Sequence, residues 1–236
     1  MKRVTFTLCL ALLVAAAAAA QALNTYTVKV GDFTDVRITD DINVVYSNNP
    51  DSIGLAHFTC PKAMQGAILF SNNKKGKLTI QVATEWVENP KLPTLHIYSE
   101  KLHSVDNSGN LSVYIASLAK TDELKLTTMA NGRIVAHNVE ADVLDASIVT
   151  GQGVIVVDGR CRDAKYKLTG TGEIQADALA AETVYCRIAG TGSIGCNPAE
   201  SLNVKGVGTG KVYYRGNPTI KLKKLGTVKV IPLDEE

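Results

Sequence analysis

The sequence predicts an all-β chain: a parallel β-helix-like solenoid with an irregular N-terminal cap. Three observations predict it. A Gly-x-Gly triplet recurs about every twenty residues. Apolar and polar residues alternate, as in Leu78-Thr79-Ile80-Gln81-Val82, which is the period of strands. The 236 residues include 19 Gly but only 6% aromatics, which suits many turns around an aliphatic core.

Residues 1–22 read as a secretory signal peptide. Lys2 and Arg3 precede an apolar run from Val4 to Ala20, and Ala20-Gln21-Ala22 supplies a small-x-small cleavage site. The run is short for a membrane span and no basic stop follows it, so no integral membrane segment is expected in the mature chain. Cys9 lies far from the cleavage site, unlike a lipid-attachment cysteine. The expected location is exported: periplasm, outer surface or extracellular. Cleavage leaves 214 residues with 23 basic and 23 acidic side chains, so the +2 of the whole chain falls to zero. Neither value suits a nucleic-acid partner, and charge-based binding must come from a local patch.

The remaining cysteines are Cys60, Cys161, Cys186 and Cys196. An even count in an exported protein permits two disulfides in three connectivities. Equally, these residues serve as small buried apolar groups. None shows a metal-binding spacing.

Residues 23–236 read as one solenoid domain, with 23–100 as the cap and irregular first coils. Asp32–Ile38 and Ile42–Val45 suggest an initial strand pair, and Leu78–Val82 and Leu95–Tyr98 add further strands. Trp86, the only tryptophan, is read as cap core. The Ala-rich stretch Asp177–Glu182 suggests a single turn of helix.

Residues 101–236 carry the repeat. Gly170-Thr171-Gly172, Gly190-Thr191-Gly192 and Gly208-Thr209-Gly210 are one triplet, and Gly151-Gln152-Gly153 is a variant. Degenerate versions place anchors at 109, 132, 153, 172, 192, 210 and 226. A period near 20 with short alternating strands marks a β-solenoid. Two residues after the anchors stand Leu111, Ile134, Ile155, Ile174, Ile194, Val212 and Val228, all aliphatic. Four before stand Val105, Thr128, Val149, Leu168, Ile188, Gly206 and Leu222. Stacked as parallel strands roughly 4.8 Å apart, such columns become apolar ladders. Gly153, Gly170, Gly172, Gly190, Gly192, Gly208 and Gly210 are then structural corner residues, because Gly accepts backbone angles closed to other residues. Small polar side chains between them are expected to hydrogen-bond along the stack.

Little in the sequence points to catalysis. Gly190-Thr191-Gly192-Ser193-Ile194-Gly195 satisfies Gly-x-Gly-x-x-Gly, but a strand follows where a dinucleotide site needs a helix. Asp142, Asp145, Asp158, Asp163 and Glu173 are the candidate acid/base residues, and they show no paired spacing. His57, His96, His103 and His137 show no metal spacing. No catalytic residue, cofactor or metal is assigned, and the reading leans away from an enzyme. Lys167, Arg187, Lys205 and Lys221, five residues before successive anchors, form a candidate basic strip for an anionic ligand. Solvated surface charge is the alternative reading. Tyr213 should face outward, where a ring can stack on sugar, and Tyr214 inward.

Three segments resemble the autotransporter-adhesin head GIN domain family of exported bacterial proteins. They are Gly31-Asp32-Phe33-Thr34-Asp35-Val36, the run from Leu179 to Ile194, and the run from Gly208 to Pro218. The resemblance spans nearly the whole mature chain. It implies a right-handed β-helix-like fold and an exported location, and brings no catalytic residues with it. The resulting expectation is an exported surface or envelope protein, adhesin-like or ligand-binding. Its partner would be an anionic glycan, a lipid head group or another envelope protein. A polysaccharide-acting enzyme and a purely structural envelope protein are the competing readings.

Overall fold

A computed structural model describes residues 22–89 and 91–233. The signal-like segment lies outside these residues, save Ala22. The chain is 65% strand and 4% helix, wound into a β-solenoid of about six turns.

The regular part is built from four strands, Arg133–Ile148, Val154–Gly170, Glu173–Gly190 and Ser193–Gly208. Each pairs in parallel with the next. Each bends around its coil where the register shifts, as between Ala136 and Val139 or Ala176 and Ala180. The Ala-rich stretch is therefore strand, not helix. Leu179 and Ala181 point inward with period two, and the neighbouring coil satisfies their backbone.

The inward ladder Ile134, Ile155, Ile174, Ile194 and Val212 stands in register and is fully buried. Burying each of these side chains contributes about 1.5–3 kcal/mol. At both ends of the repeat the register departs from the anchor count. Leu111, not Gly109, is level with Gly132, because Ser112 pairs with Arg133. Gly226 pairs with Gly208, the first glycine of its triplet. Within the repeat the ladder therefore runs from Val113 to Val230, and beyond Val113 it continues into the cap through Val44 and Leu95. Ile148, not Val149, aligns with Leu168, since that corner holds an extra residue. The return column ends in Lys224, not Leu222, and reaches Asn107 rather than Val105. Val228 occupies the position of the second corner glycine, and its methyls fill the space over Gly206, where a Cβ would meet them at 2.8 Å. One missing side chain thus accommodates one extra.

The structure stacks the triplet glycines in two rows, Gly170, Gly190 and Gly208 in one and Gly153, Gly172, Gly192 and Gly210 in the other. Gly190 shows why: its φ is 132°, and a Cβ there would lie 2.2 Å from the Gly170 carbonyl oxygen. The backbone carries the stacking. Thr191 N–H donates to Gly170 O at 3.0 Å and Thr209 N–H to Gly190 O at 3.0 Å. The expected side-chain ladder forms at Asn131, whose Nδ2 donates to Asn110 Oδ1 at 3.3 Å and whose Oδ1 accepts from the Gln152 N–H at 3.1 Å, but in the triplet threonines only the Thr171 hydroxyl joins in, at 3.4 Å.

The cap is wound out of order. Asp35–Ile38 and Val44–Ser47 do not pair with each other as a hairpin. The first pairs in parallel with Lys77–Val82 on one side and Ser104–Asn107 on the other. The second lies between Leu95–Tyr98 and Ser112–Ser117. Lys77–Val82 and Leu95–Tyr98 thus form the outermost coil. Its edge is covered by antiparallel strands: Ile68–Asn72 on Lys77–Val82, and Leu55–Pro61 on Leu95–Tyr98, with Leu23–Lys29 beyond. Trp86 packs partly buried against the core. Among the described residues the four cysteines are unpaired and buried. Burial, then the Asp163 charge, pushes the Cys161 thiol up to about 12.

Candidate functional site

Two outward faces concentrate chemistry, one on each side of the glycine corner at 208–210. The first is basic. Lys167, Arg187 and Lys205 share one outward row on successive coils. The fourth member is Lys223, not Lys221, because Lys205 pairs with Lys223. Counting back from Gly226 as though it were a second corner glycine lands two residues early. Lys221 stands in the adjacent outward row with Asn203 and Tyr185.

Like charges one coil apart repel. Part of that repulsion is relieved locally. Lys167 Nζ lies 2.7 Å from Asp145 Oδ2, and Lys205 Nζ sits 5.5 Å from the centre of the Tyr185 ring. Among the described residues, Arg187, Lys221 and Lys223 form no ion pair. Lys205, Lys221 and Lys223 line a groove of about 270 Å³ with Tyr185 and Asn203. Exposed Val207 at 53% and Leu225 at 72% share this face, while Ile220 and Leu222 end the inward columns at the edge of the last coil. Lys224 turns back and donates to the Val228 carbonyl at 3.1 Å.

The second face is a notch of about 310 Å³, lined by Glu173, Gln175, Asp177, Gly195, Tyr213 and Arg215, with Leu233 at its margin. Gln175, Gly195 and Tyr213 occupy one outward row on three successive coils. The central coil offers no side chain, so the notch is one coil high. Arg215 reaches across two coils to Asp177, with Nη2 at 3.0 Å and Nε at 3.3 Å from the same carboxylate oxygen. Asp177, Gln175 and Gly195 were not among the sequence candidates, and Arg215 had no partner assigned. The available signal was the third glycine of the Gly-x-Gly-x-x-Gly run, which falls at an outward strand position where no corner needs it.

The other acidic candidates are mostly held by neighbours. Asp145 pairs with Lys167, and Asp163 with Arg162. Asp158 bonds His137 Nδ1 and the Asn138 N–H. Burial pushes the Asp158 carboxyl up, but these hydrogen bonds and the His137 charge outweigh it and hold it below the usual range. His57 and His96 stand directly opposite each other across antiparallel strands, although far apart in sequence. No group of three metal-ligating side chains forms among the described residues, and no described helix is long and apolar enough to cross a membrane.

These features define a β-solenoid whose polar chemistry lies on shallow outer faces. The chain belongs to the family described as "Putative auto-transporter adhesin, head GIN domain", which matches residues 32–218. A crystal structure described as a putative adhesin from Bacteroides fragilis is similar at a TM-score of 0.82 and 25% identity, covering 91% of this chain and 98% of that one. A putative adhesin from Parabacteroides merdae gives 0.70 and 23%, covering 90% and 96%. A protein from Parabacteroides distasonis described as a putative lipid binding protein gives 0.67 and 19%, covering 90% and 97%. No curated protein matches the chain.

Proposed function

We propose that the protein is an exported, non-enzymatic surface or envelope component with an adhesin-like role. Its last coils bind an anionic surface, for which a lipid membrane is the best fit. The observation that carries this reading is the basic groove. Arg187, Lys205 and Lys223 stand one above another beside Lys221, with exposed Val207 and Leu225 on the same outward face. Cations meet anionic head groups, and aliphatics enter the boundary with the acyl chains. An anionic glycan would use the cations but leave the aliphatics without a partner. The lipid-binding description of the Parabacteroides distasonis protein points the same way. The signal-like N-terminus and the family's adhesin description support export to a surface. The cap at 23–100 is read as part of the same domain, closing the stack.

Co-sedimentation tests this with phosphatidylcholine vesicles, with and without phosphatidylglycerol, and with heparin as a glycan arm. Retention only on the anionic vesicles is expected, weakening with salt and lost when Arg187, Lys205 and Lys223 become Gln. Retention on heparin alone would replace the lipid with a polysaccharide. Retention on neither would overturn the reading in favour of a structural part.

A further inference from the structure

The notch at Gly195 lies beyond the glycine corner from the basic groove and shares no lining residue with it. Its charges are two carboxylates, Glu173 and Asp177, and one guanidinium, Arg215. This balance disfavours the anionic partner that suits the other face.

The shape follows from the stack. Successive coils lie roughly 4.8 Å apart, so removing one side chain from an outward row opens a slot about one ring thick. Gln175 stands on one side of the Gly195 coil and Tyr213 on the other. The φ of Gly195 is not in the left-handed region, so no turn explains the glycine. What explains it is Asp177. A Cβ at position 195 would lie 3.1 Å from Asp177 Oδ1 and 3.4 Å from its Cβ. With glycine there, the carboxylate leans across the bare strand and meets Arg215, 38 residues further on. Both guanidinium contacts fall on Oδ2, which leaves Oδ1 over the floor of the slot. Among the described residues, the side chains of Glu173 and Gln175 and the Tyr213 hydroxyl make no hydrogen bond. The slot therefore joins an aromatic ring to a carboxylate oxygen that accepts, an amide that donates and accepts, and a guanidinium that donates.

We propose that this notch is a subsite for a neutral sugar residue of a glycan. A pyranose presents an apolar C–H face and a rim of hydroxyls that both donate and accept. The Tyr213 ring covers the face. Asp177 Oδ1, Glu173 and Gln175 take the hydroxyls, and the Arg215 pair holds Asp177 in place. The volume, near the lower bound of about 300 Å³ for ligand pockets, suits one or two rings. The inference does not rest on the anionic-surface reading, and either one stands if the other fails.

The test is saturation-transfer NMR of the mature protein with lactose, cellobiose, mannobiose and chitobiose. At least one of the four is expected to receive saturation. Tyr213→Ala and Gln175→Ala should each weaken that binding roughly ten-fold, as for a central contact residue. Gly195→Leu should abolish it by filling the slot, with Gln175→Ala as the variant that leaves the fold untouched. The Arg187, Lys205 and Lys223 to Gln variant should bind the sugar normally. The proposal is overturned if none of the four disaccharides binds the parent protein. It is equally overturned if binding persists in both Tyr213→Ala and Gln175→Ala, in which case the Asp177–Arg215 pair serves only to tie the coils together.

Discussion

The two ends of the stack solve the same problem differently. At the N-terminal end, the outermost coil is covered by chain: antiparallel strands pair with its edge, and Phe58, Met64 and Ile68 close the core. At the C-terminal end, Thr219–Gly226 is exposed along its whole length. Its inward columns finish in Ile220, Leu222 and Lys224 with nothing stacked on them among the described residues. That edge is guarded by lysines, which oppose pairing with another strand edge. A solenoid repeats its inward surface at every level, so each end must be either covered or made uninviting. This chain does one of each, and the uncovered end is the one that carries the basic groove.

The largest expected effect lies in the regular coils between these ends. Gly190→Val should cost roughly 4 kcal/mol or more, enough to abolish cooperative folding. Gly66→Val in the cap, where an added Cβ meets nothing within 4 Å, should stay within about 0.5 kcal/mol. Thermal melts of the two proteins compare the regions directly, and equal melting temperatures would remove the corner assignment. Next, Ile174→Ala should cost ~2–5 kcal/mol by opening a cavity in a closed ladder. Leu222→Ala at the uncovered end should cost under about 1 kcal/mol, because its side chain is already 40% exposed. Denaturant titration of the pair measures how far the last coil differs from an interior one.

A smaller effect is expected with alkaline pH. An unfolded cysteine loses its proton near 9, while buried Cys161 keeps its proton to about 12. The folded state then holds more protons than the unfolded one across that window. Stability present below the unfolded value is therefore lost as pH rises toward the folded value. Cys161→Ala should flatten that fall relative to the parent, read from urea midpoints over the same range. An identical slope in both proteins would show that the thiol is not the group responsible. The smallest change in stability, but a clear change in assembly, is expected when Lys221 and Lys223 become Val. Sedimentation velocity should then detect association through the uncovered end. A sedimentation coefficient unchanged from the parent would show that lysines are not what guards that edge.

Much of the regular half was legible in the sequence, because its causes are local. Alternation of apolar residues puts Ile155, Ile174 and Ile194 inside without reference to any other coil. A corner glycine is demanded by its own backbone and by one carbonyl directly beneath it. Legibility failed where the number of residues absorbed by a corner or bulge changed. The extra residue before Gly151 moved Val149 out of the ladder, and the last corner exchanged Lys221 for Lys223. It failed again at Asp177–Glu182, where composition favoured helix but the neighbouring coil supplied a ladder of backbone partners.

The sequence by itself determined the all-β class, the period, the inward column from Ile134 to Val212, and the recurring glycines. Each follows from residue chemistry repeated at short range. Only the tertiary structure decided that Asp35–Ile38 lies between Lys77–Val82 and Ser104–Asn107 and Val44–Ser47 between Leu95–Tyr98 and Ser112–Ser117, that His57 faces His96, and which lysines align. It also decided that Gly195 leaves a slot spanned by Asp177 and Arg215. These depend on register between coils, set by pairing of backbone groups twenty to seventy residues apart, which no local pattern encodes.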